Sequence, residues 1–348
     1  MEQSLSSVTS QERSYAREIC AELEQLSFED SKQVAVALAH LERQKRLDLP
    51  LPGRGRTAER LQALTEIAAV DLSLARLVEG HTDAHAILHE LGGTARVGTY
   101  GVWAAEPPDA LIDARPYRGG YRFVGRKRYA SGAGSLTRAL VTVRTDEGSC
   151  LFDVELATAG VRPIEDSWPA VGMAHSDSFD VEFDDAFVPS NARVGAPGSY
   201  VARAGFWHGA VGVAACWFGG ALGCARMLRK HFGHVPCSEH AAAHVGAVAA
   251  ACHSMQSVLR GAAEAIDRDP NDERQQARER ALLVRAIVER GCEEVLSHSG
   301  RAAGSCALVF DREHARRAAD LPVYVRQHHA ERDLAELGRA VLERPSWV

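Results

Sequence analysis

Helices, then short strands, then long helices again: the 348-residue sequence predicts an α+β chain. Its three parts are residues 1–94, α-helical; 95–195, a small β-sandwich or barrel; and 196–348, a four-helix bundle. Three observations predict this. Up to about Thr94 apolar residues recur at helical spacing. From Thr94 to Val188 the apolar runs are short and broken by turn residues. After Pro189 the helical period returns in long stretches.

In the first part, Glu12–Leu26 carries a helical pattern, and Ser31–Leu47 follows with Asp30 or Ser31 as N-cap. Leu49–Gly55 (LPLPGRG) is a break, and Thr57–Gly80 resumes through Leu61, Leu64, Ile67, Ala68 and Leu72. The second part predicts strands at Val97–Ala104, Tyr121–Tyr129, Ala139–Arg144, Cys150–Val154 and Phe179–Phe187. Pro107-Pro108, Gly119-Gly120 and Asp146-Glu147-Gly148 punctuate them. The last strand alternates Phe179, Val181 and Phe183 with Asp180, Glu182 and Asp184, the period of a half-buried strand, and Pro189 closes it. Helices are then predicted at Tyr200–His231, Ser238–Asp267, Asp272–Ala303 and Ala319–Leu342.

Composition excludes several classes. A net charge of −6 with scattered lysines and arginines argues against nucleic acid as a partner. The eight cysteines form no C-x-x-C pair, so neither a zinc ribbon nor a thioredoxin-like site is supported. MEQSLSSVTSQERSYAREIC lacks the apolar core of a signal peptide, so the thiols are expected to be free in a reducing cytoplasm. Gly209–Ala225 is uncharged, but it is short for a membrane span, rich in glycine and followed by Arg226, Arg229 and Lys230. It reads as a buried central helix, and no membrane association is expected. His81, His85 and His89, and His240 with His244, stand at helical spacings that a metal could share. No carboxylate or cysteine stands at a matching offset and Thr82-Asp83 reads as a local break, so no metal site is expected.

Two segments carry more specific information. Val124–Gly134 (VGRKRYASGAG) and Trp168–Gly195 (WPAVGMAHSDSFDVEFDDAFVPSNARVG) resemble, in order and spacing, the middle β-domain of the acyl-CoA dehydrogenase superfamily of flavoproteins. There a G-x-K-x-[WY]-x-[ST] strand lies against the flavin, and a G-M-x-x-x-x-S-x-D-V-x-F-x-D-x-x-V-P segment leads into a helix bundle. The resemblance covers nearly the whole chain, and it implies FAD as cofactor.

On that resemblance Trp103-Ala104-Ala105-Glu106-Pro107 stands where a T-E-P loop faces the flavin, with Ala105 in place of the usual threonine. Tyr129 flanks the ring, and the Ser131 hydroxyl reaches N5. Read alone, Tyr129 is a strand aromatic and Ser131 a turn former. Arg229 and Phe232 resemble the R-x-x-F-G motif that meets FAD bound mainly by a neighbouring subunit, which implies a homodimer or homotetramer with FAD at the subunit interface. His240 replaces a usual glutamine, and Gly304 alone survives from a G-G-x-G stretch. Charge and dipole alone give a plainer reading of Arg229 and Lys230, as a solvated basic helix end.

The resemblance places the dehydrogenases' catalytic glutamate at His328, counting from Asp320. The alternative position falls near Ala202, beside Arg203, which suits substrate binding. Glu331, one turn beyond His328, is a substitute carboxylate. The monooxygenase branch of the superfamily carries histidine near this point, approached as in Asp320-Leu321…Gln327-His328. Histidine titrates near neutral pH and serves as base or donor. The plain alternative makes His328, His329 and Glu331 the polar face of an amphipathic helix. Three functions follow: dehydrogenation of an acyl thioester on coenzyme A or a carrier protein, which leads; flavin-dependent monooxygenation; and a non-catalytic subunit, suggested by the missing glutamate and glycines.

Overall fold

The computed structural model describes residues 18, 19, 21–23 and 25–343, so the predicted Glu12–Leu26 helix lies partly outside the described residues. Residues 18, 19 and 21–23 are helical, and three helices follow: α1 (Ser31–Arg43), α2 (Thr57–Val70) and α3 (Leu72–Glu90). The Asp30 side chain accepts from Gln33 N–H at 2.8 Å and caps α1. The single Thr57–Gly80 helix of the sequence reading is two. Asp71 adopts an extended conformation and accepts from Leu74 N–H at 2.7 Å, so the chain turns and α3 starts afresh. No break occurs at Thr82-Asp83; packing carries α3 on to Glu90.

The middle part is one sheet: β1 (Tyr100–Trp103), β2 (Ile112–Tyr117), β3 (Gly120–Ala130), β4 (Arg138–Thr145), β5 (Gly148–Glu155), β6 (Val161–Ile164), β7 (Phe179–Pro189) and β8 (Arg193–Val194). The order is β6-β7-β3-β2-β4-β5-β8, with β1 pairing parallel to β4. The sequence reading missed β2, β6 and β8, which are short or carry exposed proline and arginine. Two bulges bend the β3–β7 pair. In β7 the extra residue falls around Asp185 (φ 54°), so burial shifts from Val181 and Phe183 to Ala186 and Val188. In β3 it falls at Tyr129 (φ 57°).

The C-terminal part contains the one-turn α4 (Ser199–Ala202), then α5 (Ala204–Phe232), α6 (Glu239–Arg268), α7 (Ala277–Ala303), α8 (Ser305–Phe310), α9 (Arg312–Tyr324) and α10 (Glu331–Leu342). Helix α5 is long and apolar enough to cross a membrane, yet its most apolar stretch is 83% buried inside the protein. Its glycines permit close crossing: a Cβ on Gly219 would lie 2.3 Å from the Thr65 carbonyl oxygen of α2. The predicted Ala319–Leu342 helix is interrupted. After α9 comes a 3₁₀ turn at Val325–Gln327, an extended His328, and Ala330 at φ 42° before α10. His328 is therefore a loop residue between two helices and not part of a helical polar face.

The largest core joins α1–α3 to α5–α7 and α9 through Leu38, Leu64, Val78, Trp217, Met255 and Val288. A second, around Trp103, Phe123, Phe152 and Phe183, fills the sheet. Ile87 and Leu88 of α3 pack on Tyr100, Leu140 and Leu151, so α3 touches helices on one side and sheet on the other. Asp320 ties sheet to bundle by accepting from Met173 N–H at 2.6 Å. Beside it, a Cβ on Gly172 would lie 2.1 Å from the Ala319 carbonyl oxygen. The G-M segment thus docks on α9. The described cysteines form no disulfide, and Cys20 lies outside the described residues.

Candidate functional site

The site starts at the β3 bulge. An extra residue in one strand turns its side chain away from the pleat, and Tyr129 is accordingly 55% exposed although its neighbour Ala130 is fully buried. An aromatic ring left open beside a buried strand offers a flat wall. Lys127, two residues earlier, is wholly buried. Its Nζ donates to the Ala105 carbonyl at 3.2 Å and to Thr142 Oγ1 at 3.1 Å, with Glu106 Oε1 at 4.0 Å. Burial pulls this ammonium down to about 8, and Glu106 opposes the shift. Lys127 therefore fastens the exposed Ala105–Glu106 loop to β3. Sequence reasoning matched the motif lysine without assigning it a task.

Ser131, two residues after Tyr129, is buried. Its carbonyl accepts from Trp103 Nε1 at 3.0 Å, and its hydroxyl accepts from Arg76 Nε at 3.2 Å and pairs with Ser178 Oγ at 2.8 Å. Arg76 comes from α3, where it forms an ion pair with Glu79 one turn on. Glu79 is buried and Arg76 nearly so; desolvation raises the Glu79 carboxyl, with Arg76 opposing. Arg76, Glu79 and Asp83 lie on one side of α3. Their signal in the sequence is charge on the inward side of an otherwise apolar helix.

Beyond Glu79 lie Cys216 of α5 and Tyr324 of α9; burial, then Cys216 and Glu79, push the Tyr324 phenol well above its usual value. Trp217 Nε1 and both ring nitrogens of His328 are buried without hydrogen-bond partners among the described residues. The Arg285 guanidinium stacks over Trp217 at 4.5 Å and donates to the Gln327 carbonyl at 2.6 Å. His328 is pushed below its ordinary value by burial first and by Arg285 second, against the opposing Asp333. Its imidazole is thus neutral near pH 7. The carboxylate facing His328 is Asp333, at 3.9 Å from Nε2. Glu331 is exposed on the first turn of α10. Buried polar atoms without partners, together with an open aromatic wall, fit a flat heterocycle with a hydrogen-bonding edge and a polar substrate beside it.

The remaining candidates lie elsewhere. Arg203 is buried and ion-paired to Glu90 at 2.8 Å, with Asp83 at 3.9 Å. It lines a cavity of about 430 Å³ with Arg54, His89, Gly205, His208 and Asn271. Arg229, His240 and Gly304 are exposed and Phe232 is half-buried, at the end of α5, the start of α6 and the end of α7. They surround neither Tyr129 nor His328 within this chain. His81 Nδ1 accepts from Tyr100 N–H at 3.1 Å, and His244 pairs with His298 at 2.8 Å. Among the described residues no three His, Cys, Asp or Glu side chains form a metal cluster.

No protein-family model matches the sequence, and no curated protein does. Solved structures do match in fold. KijD3, in complex with FMN and dTDP-3-amino-2,3,6-trideoxy-4-keto-3-methyl-D-glucose, superposes with a TM-score of 0.81 at 17% identity, covering 96% of this chain and 94% of that one. The nitrososynthase from Micromonospora carbonacea var. africana gives 0.81 at 16% identity, covering 97% and 98%. The methanesulfinate monooxygenase MsuC from Pseudomonas fluorescens gives 0.76 at 17%, covering 96% and 97%. With the helix–sheet–helix order, the β3 bulge and the docking of Met173 on Asp320, the chain has the acyl-CoA dehydrogenase-like fold.

Proposed function

We propose that the protein is a flavin-dependent monooxygenase acting on a polar small molecule. The observation that carries the reading is the buried, neutral imidazole of His328, both nitrogens unpartnered, where a dehydrogenase needs a carboxylate. The likeness in fold to KijD3, the nitrososynthase and MsuC supports it. The flavin ring would stand against Tyr129 with its N5 edge toward Ser131. A bound reduced flavin supplies the electron pair that lets dioxygen give one oxygen atom to the substrate and the other to water.

The protein's own residues do the rest. Neutral His328 takes a proton from the substrate's attacking group, and Asp333 at 3.9 Å steadies the imidazolium that results. Arg285 holds the loop through Gln327 and keeps His328 neutral beforehand. Arg76, Glu79 and Tyr324 give the substrate a polar wall, unlike the apolar slot an acyl chain needs. Arg229, Phe232, His240 and Gly304 would serve the adenylate half of FAD, from this subunit toward a second.

The test supplies purified protein with photoreduced FMN or FAD and labelled dioxygen, across amines, thioethers, phenols and acyl-CoA thioesters. Label in a product establishes the reading. Anaerobic bleaching of bound flavin by an acyl-CoA sinks it and restores acyl-thioester dehydrogenation. Hydrogen peroxide alone with every substrate leaves the non-catalytic subunit in front.

A further inference from the structure

The hydrogen-bond chain behind Ser131 has a direction. A hydroxyl carries one proton and two acceptor lone pairs. Ser176 Oγ lies 2.7 Å from the Met173 carbonyl oxygen, which can only accept, so the Ser176 proton points there. Toward Ser178 Oγ, at 2.9 Å, Ser176 is then the acceptor, and the Ser178 proton points to Ser176. Toward Ser131 Oγ, at 2.8 Å, Ser178 is in turn the acceptor, so the Ser131 proton points to Ser178. Arg76 Nε occupies one lone pair of Ser131 at 3.2 Å. What Ser131 has left is one lone pair and no proton.

The chain cannot easily turn round. Ser131, Ser176 and Ser178 are 8%, 0% and 7% exposed, which leaves little room for water to reverse the protons. The backbone holds the two segments in register: Gly132 N–H donates to the Ser176 carbonyl at 2.8 Å, and Ala133 N–H to the Asp177 carbonyl at 3.2 Å. Met173, the end of the chain, is itself held by Asp320 of α9.

We propose that the Ser131–Ser178–Ser176 relay fixes Ser131 as a hydrogen-bond acceptor and so makes this site bind reduced flavin in preference to oxidised flavin. The inference rests on the flavin reading of Tyr129 and Ser131. N5 of oxidised flavin is an acceptor, so it meets the Ser131 lone pair with its own. N5 of reduced flavin carries a hydrogen and donates to that same lone pair. A ligand bound more tightly in one oxidation state shifts the equilibrium toward that state by its differential affinity. Ser131 is thus a selector of the flavin's oxidation state, and the hydroxyl that the motif match brings to N5 acts there as an acceptor.

The experiment measures dissociation constants of FMN and FAD in both oxidation states, oxidised by fluorescence quenching and reduced by anaerobic titration. The wild-type protein is expected to bind the reduced form at least about tenfold more tightly. That factor equals a rise of about 30 mV in the midpoint potential of bound flavin for a two-electron couple. Ser178→Ala frees the Ser131 proton and should bring the ratio down by a similar factor. Equal affinity in the wild type, or a ratio unchanged in folded S178A, overturns the relay and leaves the flavin site standing. If S178A does not fold, the wild-type ratio and potential decide. Failure to bind flavin in either state overturns the flavin reading and the relay with it.

Discussion

At the residue scale, chemistry and cofactor contact separate cleanly. His328 is buried, and among the described residues no hydrogen bond joins its ring to Tyr129 or Ser131, the proposed flavin contacts. His328→Gln should therefore lower label transfer to product by about 10²–10⁴-fold, the usual range for a lost acid–base group. Its flavin dissociation constant should stay within about twofold, and stopped-flow oxygen uptake with a flavin titration tests both. The direction of the His328 shift also fixes a pH dependence. Because the folded pKa lies below the ordinary 6.5, the neutral base persists below that pH. The acid limb of kcat/KM should accordingly fall below 6.5, and a limb at or above it refutes the assignment. At the other end, if Arg229 holds the adenylate side of FAD as proposed, Arg229→Ala should weaken FAD by roughly tenfold and leave FMN, which lacks that half, unchanged. Equal losses for both cofactors would remove Arg229 from the site.

At the scale of elements, α3 and the β3 bulge shape the site. Helix α3 brings buried charge to the site only because Arg76 and Glu79 neutralise one another one turn apart. Taking away one member of a buried pair costs about 3–5 kcal/mol, whereas removing both costs much less. Glu79→Leu should therefore lower the urea midpoint sharply, and Arg76→Met in the same chain should recover most of the loss. Additive losses would show that the pair does not act as a unit. The bulge makes a different prediction. Tyr129 is exposed, so Tyr129→Ala should barely change the melting temperature while weakening flavin by about 10–100-fold, the range of a lost aromatic stacking contact. A large drop in melting temperature with intact flavin binding would make Tyr129 a structural residue after all.

At the scale of the whole molecule, sheet and bundle share α3 and the Met173–Asp320 contact, so loss of packing in one part should be felt in the other. Buried neutral histidines couple this packing to pH. His81 is held down to about 3, by burial first and His85 second, and burial also lowers His85, His208, His314 and His328. In the unfolded chain each titrates near its ordinary value of about 6.5, so below that pH the unfolded state binds more protons and is favoured. Each such histidine destabilises the fold by up to about 1.4 kcal/mol per pH unit, from about 6.5 down to its folded pKa. Urea unfolding free energies should be level from pH 8 to 7 and fall steeply from 6.5 to 5. A flat profile across that window would mean these imidazoles are not buried as described.

The sequence alone determined the order of the three parts, because helical and strand periods are local properties of burial on one face. It also singled out Tyr129, Ser131 and His328 as candidates, since each stands at a fixed offset within a short motif. Three things were decided only by tertiary structure. Asp71 breaks the second predicted helix in two because its side chain caps α3, while Thr82-Asp83 stays helical because Thr82 and Asp83 are packed inside. His328 sits in a loop because the chain is turned at Val325–Gln327 and Ala330, and its carboxylate neighbour became Asp333 in place of Glu331. The sense of the Ser131 hydrogen bond depends on serines 45 and 47 residues away and on one carbonyl beyond them. Local spacing names the residues that can do chemistry; long-range packing sets their surroundings, and those surroundings decide which atom gives the proton and which receives it.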